Sequence, residues 1–162
     1  MDISKLSETV IKQAKENGYI IVTVESCTGG LVGGALTDCA GASSAYHGGF
    51  ITYDNAAKER FVHVPHSVLA TKGAVSPECA EAMAAGTLQA YPTGNLSISI
   101  TGIAGPDGGS AEKPVGLVYF GCKNKKTDKA FVIEKNFTGD RATVREKSVD
   151  FALEILSKET RL

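Results

Sequence analysis

The chain has 162 residues, of which 43% are hydrophobic and 22% charged, a composition that predicts one globular domain with a core of its own. The formal net charge of −1 gives no electrostatic reason to expect nucleic acid or an anionic membrane as a partner. No signal peptide or membrane-spanning run is recognisable, and the four cysteines lack the spacing of a metal site, so we expect a cytoplasmic protein with free thiols.

The first third of the chain reads as helix, strand, turn and helix. Apolar residues three and four positions apart predict a helix over about 4–17, which Gly18 closes. The β-branched and aromatic run at 19–24 predicts a buried strand. A second helix is expected over 31–37, so the turn at 25–30 joins a strand directly to a helix.

The remaining segments continue the alternation of strands and helices. Strands are expected at 47–53, 95–101, 115–122 and 129–137, the last two as a hairpin, and helices at 55–61, 77–91 and after Asp140. Residues 38–44 and the glycine-rich stretch 102–114 read as loops, and 65–73 as a short turn. This order predicts an α/β protein, a single three-layer α/β/α domain over residues 1–162 with a mixed, mainly parallel central sheet.

The turn after the first strand is the first candidate site. Unpaired amides and the dipole of the following helix favour negative charge there, and Ser26 lies at the strand tip as a candidate nucleophile. A second loop, 101–109, also follows a strand. Ligands collect outside the carboxyl ends of strands in open α/β sheets, so the two loops are expected to share a crevice. For each loop, a plain structural turn is an equally good interpretation.

A serine nucleophile needs a base, and the sequence offers two kinds. The histidines, at positions 47, 63 and 66, lie at a strand start and in a polar turn, which favours structural or surface roles. Lys58 follows the second strand by one short turn, so it and Tyr53 could both face Ser26, provided that burial lowers the lysine pKa. A lysine on a short helix is more often a solvated surface charge, and that alternative stays open here.

Other residues near the turn have alternative roles. Cys27 could itself be the nucleophile, because a helix N-terminus lowers the pKa of a thiol. Glu25 could be a base or a structural cap, while Arg141 and Arg145 could clamp a phosphate or form surface ion pairs. Neither loop has a P-loop or dinucleotide-binding pattern. The residue pattern alone therefore predicts an anion-binding crevice and no particular reaction.

Several motifs, in order, resemble the CinA C-terminal domain family. They are ESCTGG at 25–30, GAS at 41–43, the segment 48–58 with its Tyr, Asn and Lys, GAVS at 73–76, TGIAGP at 101–106, KPVG at 113–116 and GDR at 139–141. The resemblance covers about residues 4–156. Stand-alone members of this family resemble nicotinamide-nucleotide amidases, which hydrolyse nicotinamide mononucleotide to nicotinate mononucleotide and ammonia in pyridine-nucleotide recycling.

The resemblance implies a role for each candidate residue. Ser26 would attack the carboxamide, Lys58 would act as its base, and Tyr53 would hold or relay the proton. Amides around 28–30, or those of the 101–105 loop, would bind the oxyanion. Arg141 and the glycine loop would hold the ribose phosphate. The implied substrate-binding residues are Thr28, Gly29, Gly30, Thr101, Gly102, Gly105 and Arg141.

The resemblance also bears on partners and on the competing function. It implies a small-molecule nucleotide substrate, no metal or organic cofactor, and a homo-oligomer. Full-length family members carry an N-terminal molybdopterin-binding-like domain with pyrophosphatase activity, for which we expect no room in this chain. The alternative function is a non-catalytic nucleotide- or partner-binding module linked to competence or the DNA-damage response.

Overall fold

The computed structural model describes residues 2–161, which form a five-stranded sheet with helices on both faces. The strands are β1 (Ile21–Glu25), β2 (Tyr46–Ile51), β3 (Leu96–Gly102), β4 (Leu117–Asn124) and β5 (Lys129–Asn136), in the spatial order β2-β1-β3-β4-β5. β1 runs parallel to both β2 and β3, whereas β4 runs antiparallel to both β3 and β5. The predicted α/β fold with a mixed sheet is confirmed, although its strand pairings divide equally between the two kinds.

The helices are α1 (Ile3–Asn17), α2 (Leu31–Thr37), α3 (Asn55–Val62), α4 (His66–Thr71), α5 (Pro77–Ala90) and α6 (Arg141–Glu159). Side-chain caps begin several of them: Asp54 accepts from the Ala56 amide, and Ser76 accepts from the Cys79 amide. The turn expected after Pro65 is the helix α4, and the loop expected at 38–44 includes a short 3₁₀ helix at Ala42–Ser44. None of the described helices has the length and apolar character needed to cross a membrane.

Helices α1, α2 and α6 cover one face of the sheet, and α3 and α5 cover the other. The alternating sequence of β3 suits both layers. Ile98 and Ile100 belong to the main hydrophobic core with α1, α2 and α6. On the opposite face, the Ser97 and Ser99 hydroxyls donate to the backbone carbonyls of α5 at 2.8 and 2.7 Å. Small hydroxyl residues thus let α5 pack closely without leaving buried polar groups unpaired.

This topology brings the two candidate loops together. β1 and β3 are parallel neighbours, so their carboxyl ends lie at the same edge of the sheet, next to the end of β2. The turn that carries Ser26 and the loop that begins after Gly102 leave the sheet at this edge. The predicted shared crevice is therefore a consequence of strand order.

Candidate active site

A cleft of about 200 Å³ lies at the carboxyl ends of β1 and β3. Six of the residues predicted for the site line it, and four do not: Thr28, Gly29 and Gly30 lead into α2, and Gly105 contacts the lining residue Arg141 through its carbonyl. The lining residues are Ser26, Cys27, Tyr53, Asn55, Lys58, Ala74, Val75, Thr101, Gly102, Ala104 and Arg141. A larger hollow of about 530 Å³ between α2 and α6 has no nucleophile paired with a base.

Ser26 is held by the backbone at the tip of β1. Its amide donates to the Ile100 carbonyl at 2.9 Å, which continues the β1–β3 ladder by one residue. Its carbonyl accepts from the Gly29 amide at 3.0 Å and so closes the turn. The side chain is 8% exposed, and its Oγ lies 3.2 Å from Nζ of Lys58. The serine is thus fixed and within hydrogen-bond reach of an amine.

Lys58 is buried, contrary to what is usual for a lysine on a short helix. Its side chain is 1% exposed, and Nζ donates to the Thr52 carbonyl at 2.6 Å and to the Tyr53 carbonyl at 3.4 Å. No carboxylate forms an ion pair with it anywhere in residues 2–161. Burial lowers the pKa of Lys58, while Cys79, Asp54 and Cys27 act in the opposite direction.

The contacts of Lys58 orient its amine. A neutral amine has two N–H bonds and one lone pair, and the two carbonyls can only accept hydrogen bonds. With both N–H bonds directed at the Thr52 and Tyr53 carbonyls, the lone pair faces the Ser26 hydroxyl, which can donate. The arrangement therefore suits proton transfer from Ser26 to Lys58.

Two amides at the N-terminus of α2 are not free, because a carboxylate of the chain itself supplies the negative charge that the sequence favours there. The Glu25 carboxylate accepts from the Val32 amide at 2.9 Å and from the Gly33 amide at 3.1 Å. Glu25 is 2% exposed, and its charge already offsets the positive end of the helix dipole. Of its two suggested roles, the structure assigns that of structural cap.

Cys27 does not have the reactive thiol that its position suggested. Its side chain belongs to the hydrophobic core, and burial raises the pKa of the thiol to about 11, with a smaller opposing effect of Arg145. Desolvation therefore outweighs the helix terminus, whose charge Glu25 already offsets, and the expectation of a lowered thiol pKa is wrong. The thiol stays protonated near neutral pH.

The two arginines of α6 contact the site loops, and neither forms an ion pair within residues 2–161. Arg141 donates to the Gly105 carbonyl at 2.8 Å and to the Tyr53 hydroxyl at 3.0 Å. Arg145 donates to the Cys27 carbonyl at 3.0 Å and so fixes the turn after Ser26. The alternative of surface pairs with neighbouring carboxylates does not describe either residue.

The end of β3 presents backbone to the cleft. Alternate residues of a strand direct their amides and carbonyls to the same neighbour, and the Ile100 carbonyl accepts from the amide of Ser26, which directly follows β1. Gly102, two residues further along, therefore directs its N–H to the same side, beyond the end of that ladder and toward the cleft. The Thr101 hydroxyl instead donates to the Ala74 carbonyl at 2.7 Å, which ties β3 to the segment before α5.

The sequence pattern of the CinA C-terminal domain family matches residues 3–160 of the chain. The chain belongs to the CinA C-terminal domain family. It is 42% identical over 157 residues to the nicotinamide-nucleotide amidohydrolase PncC of Enterobacter agglomerans, covering 97% of this chain and 94% of that protein. It is also 42% identical over 158 residues to a CinA-like protein of Desulfotalea psychrophila, covering 97% of this chain but only 37% of that protein.

Solved structures of the CinA family share this fold. The competence/damage inducible protein CihA of Agrobacterium tumefaciens is 42% identical, with a TM-score of 0.92 over 96% of this chain and 94% of its own. A CinA superfamily protein of Klebsiella pneumoniae is 31% identical, with a TM-score of 0.92 over 99% of this chain and 98% of its own. The family resemblance and the α/β fold inferred from the sequence are both confirmed.

Sequence reasoning assigned no role to several parts of this CinA-family cleft. Asn55, Ala74 and Val75 line it, and all three lie in the family motifs, but no local signal placed them beside Ser26. The carbonyls of Thr52 and Tyr53 had no sequence signal at all, since every residue carries a carbonyl. Their role depends on how the end of β2 meets the start of α3.

Proposed function

We propose that this CinA-family chain is an amidohydrolase that converts nicotinamide mononucleotide to nicotinate mononucleotide and ammonia. The observation that carries the proposal is the Ser26–Lys58 pair, in which a buried amine without a carboxylate partner lies 3.2 Å from the serine hydroxyl. The PncC amidohydrolase of Enterobacter agglomerans, 42% identical over most of both chains, supports the choice of a nicotinamide nucleotide as substrate.

In the proposed reaction the neutral Lys58 amine takes the Ser26 proton while Oγ bonds to the carboxamide carbon. The resulting tetrahedral oxyanion collapses, its C–N bond breaks, and the Lys58 ammonium returns the proton to the departing nitrogen, which leaves as ammonia. Water then loses a proton to Lys58 and attacks the acyl-serine ester, and the cleavage of that ester releases nicotinate mononucleotide and restores Ser26.

Of the two sources suggested for oxyanion donors, we favour the segment 101–105, which begins at the end of β3. The amide of Gly102 is directed toward the cleft, and Gly102 lines it together with Ser26, whereas residues 28–30 do not line it. The Cys27 amide, next to the nucleophile, is the second candidate donor. Thr28, Gly29 and Gly30 would then act by shaping the turn that presents Ser26.

The remaining assignments follow from the mouth of the cleft. Arg141 is an exposed cation that lines the cleft, and it is our candidate for the ribose phosphate, with Gly105 beside it. Tyr53 would hold or relay the proton between Lys58 and the reacting atoms. We further propose one domain over 1–162, a cytoplasmic location consistent with four free cysteines, and a homo-oligomer.

Ammonia release from nicotinamide mononucleotide, measured with a chelator present, tests this proposal. We expect release by the native protein, none by Ser26→Ala, and normal release by Ser67→Ala, an exposed serine on α4. Calorimetry should show that Ser26→Ala still binds the nucleotide, because the proposed phosphate contacts lie elsewhere. Comparable activity of Ser26→Ala would exclude the serine mechanism, and binding by the native protein without turnover would favour the non-catalytic module.

A further inference from the structure

Arg141 bridges the two walls of the cleft at its mouth. One guanidinium nitrogen donates to the Gly105 carbonyl at 2.8 Å and the other to the Tyr53 hydroxyl at 3.0 Å. The first contact reaches the loop after β3, and the second reaches the segment between β2 and α3. A guanidinium has five N–H donors in a fixed plane, so these two bonds leave three donors for another acceptor.

The bridge decides where the Tyr53 hydroxyl lies. Arg141 is its hydrogen-bond partner within residues 2–161, and the tyrosine side chain is otherwise open, with 62% of the residue exposed. The Lys58 amine is bonded to Ser26 and to the carbonyls of Thr52 and Tyr53, not to this hydroxyl. The Tyr53 backbone carbonyl lies only 3.4 Å from that amine, so the ring is attached beside the catalytic pair while its hydroxyl is held by Arg141.

An anionic group on the substrate would compete with Tyr53 for the same guanidinium. Arginine and phosphate are both ionised and their hydrogen bonds are commonly bidentate, whereas the neutral Tyr53 hydroxyl is a single uncharged acceptor for one N–H bond. We infer that Arg141 makes the reaction specific for phosphate-bearing carboxamides by holding Tyr53 away from the Ser26–Lys58 pair until a phosphate takes its place. The inference rests on the proposed function and deepens it.

This arrangement differs from a simple phosphate clamp in the kinetic parameter that it changes, kcat rather than KM. A clamp that binds ground state and transition state equally changes KM and leaves kcat as it was. A phosphate that also releases a catalytic group raises kcat, because its binding energy is used to assemble the site. A carboxamide without the phosphate should therefore be turned over slowly even at saturation.

Nicotinamide riboside, which has the same carboxamide and ribose without the phosphate, provides the test. Inorganic phosphate added with the riboside should raise kcat saturably with the native protein, and should compete against nicotinamide mononucleotide. Arg141→Met keeps the apolar stem and removes every donor. We expect it to raise kcat for the riboside roughly 3- to 10-fold, the range of one hydrogen bond, to abolish the phosphate effect, and to raise KM for the mononucleotide at least about 10-fold.

Two controls make the outcome interpretable. Arg60→Met removes an exposed positive charge from α3 without touching the cleft and should leave both substrates unaffected. Because the Gly105 carbonyl loses its partner in Arg141→Met, thermal unfolding should accompany the kinetics. If that variant does not fold, Tyr53→Phe serves instead, since its ring is largely exposed. It should lower kcat for the mononucleotide and lose the phosphate activation of the riboside.

The results separate the inference from the proposed function. If the native protein hydrolyses the mononucleotide, but phosphate does not raise riboside turnover and Arg141→Met does not increase it, the inference is overturned and the amidase function stands. If the folded Tyr53→Phe variant keeps the phosphate activation, the inference is overturned as well. If the native protein releases no ammonia from the mononucleotide, both are overturned.

Discussion

Replacing Lys58 with methionine tests the central feature of the site. The substitution keeps an unbranched side chain of similar length and removes the amine, with its bonds to Ser26 Oγ and to the Thr52 and Tyr53 carbonyls. We expect hydrolysis of nicotinamide mononucleotide to be lost while the fold is retained. The expectation follows because Lys58 is the one amine within hydrogen-bond distance of the Ser26 hydroxyl among the described residues.

The expected size of each effect can be worked from these contacts. A positioned general base contributes about 10²- to 10⁴-fold to a rate, so kcat should fall by at least about 100-fold. The unpaired Thr52 carbonyl costs about 1–3 kcal/mol, and relief from burying an amine opposes that cost. The net change in the free energy of unfolding should therefore stay within about 2 kcal/mol.

The pH dependence of the native protein gives the same reasoning a second test. Only the neutral amine can accept the serine proton, so kcat/KM should rise with pH through the pKa of Lys58. Because burial lowers that pKa from its ordinary value of 10.5, the rise should occur below pH 10.5. The residual kcat/KM of Lys58→Met should not show this rise with pH.

The free energy of unfolding should also change as Lys58 titrates, and the lowered pKa decides the direction of that change. Below its lowered folded-state pKa, Lys58 is protonated in both states, and the folded state carries the full cost of burying the ammonium. That cost is relieved as pH rises from the folded pKa to the unfolded value. Any stability gain in Lys58→Met should thus be greatest at low pH and shrink as the pH rises.

Steady-state ammonia release and thermal unfolding, both followed across pH, are the measurements. The matched control is Lys5→Met, which removes an exposed lysine on α1, remote from the cleft. A folded Lys58→Met variant with more than about a tenth of native kcat would refute the lysine-base reasoning, since the expected loss is at least about 100-fold. A native kcat/KM that does not change below pH 10.5 would refute the argument from burial.

Three further predictions concern residues around the site and the fold. Cys27→Ala should keep at least about a third of native kcat in the ammonia assay, because a thiol with a pKa of about 11 is not the nucleophile. A folded but inactive variant would contradict this prediction. Glu25→Ala should destabilise the protein by about 3 kcal/mol, which lowers Tm by roughly 6–12 °C, because two buried amides lose a carboxylate; an unchanged Tm would show that water replaces the cap. Gly86→Ala should be strongly destabilising, because its Cβ would lie 1.7 Å from the Val62 carbonyl oxygen. In Gly34→Ala the added Cβ meets nothing within 4 Å, so this substitution should stabilise α2 by about 0.5–1 kcal/mol. Equal unfolding midpoints for the two variants would contradict the comparison.

The sequence predicted the elements well because their signals are local. The caps at Asp54 and Ser76 and the period-two alternation of β3 each lie within a few residues of what they specify. The α4 helix was missed because its six residues carry no side-chain cap and little periodicity. The equal division of parallel and antiparallel pairs was missed because strand order depends on contacts between distant segments.

For the candidate site, too, some features were predictable from the sequence and others depend on tertiary contacts. The strand-to-helix turn placed Ser26 at a strand tip, and the motifs shared with the CinA family assigned roles to Lys58, Tyr53 and Arg141. The sequence left open whether Glu25 is a base or a structural cap, and it predicted a lowered pKa for the Cys27 thiol where burial raises it. Both depend on which groups share a buried environment after folding, and a motif does not report burial.

By itself, then, the sequence determined the order of the elements, the position of Ser26 and the family. Only the tertiary structure decided that Lys58 is a buried amine without a carboxylate, that its N–H bonds meet the Thr52 and Tyr53 carbonyls, and that Arg141 holds Tyr53. The physical reason is that helices, strands and caps arise from neighbours in the chain. The pKa of a base and the partners of a hydrogen bond arise from desolvation and from residues brought together by the fold.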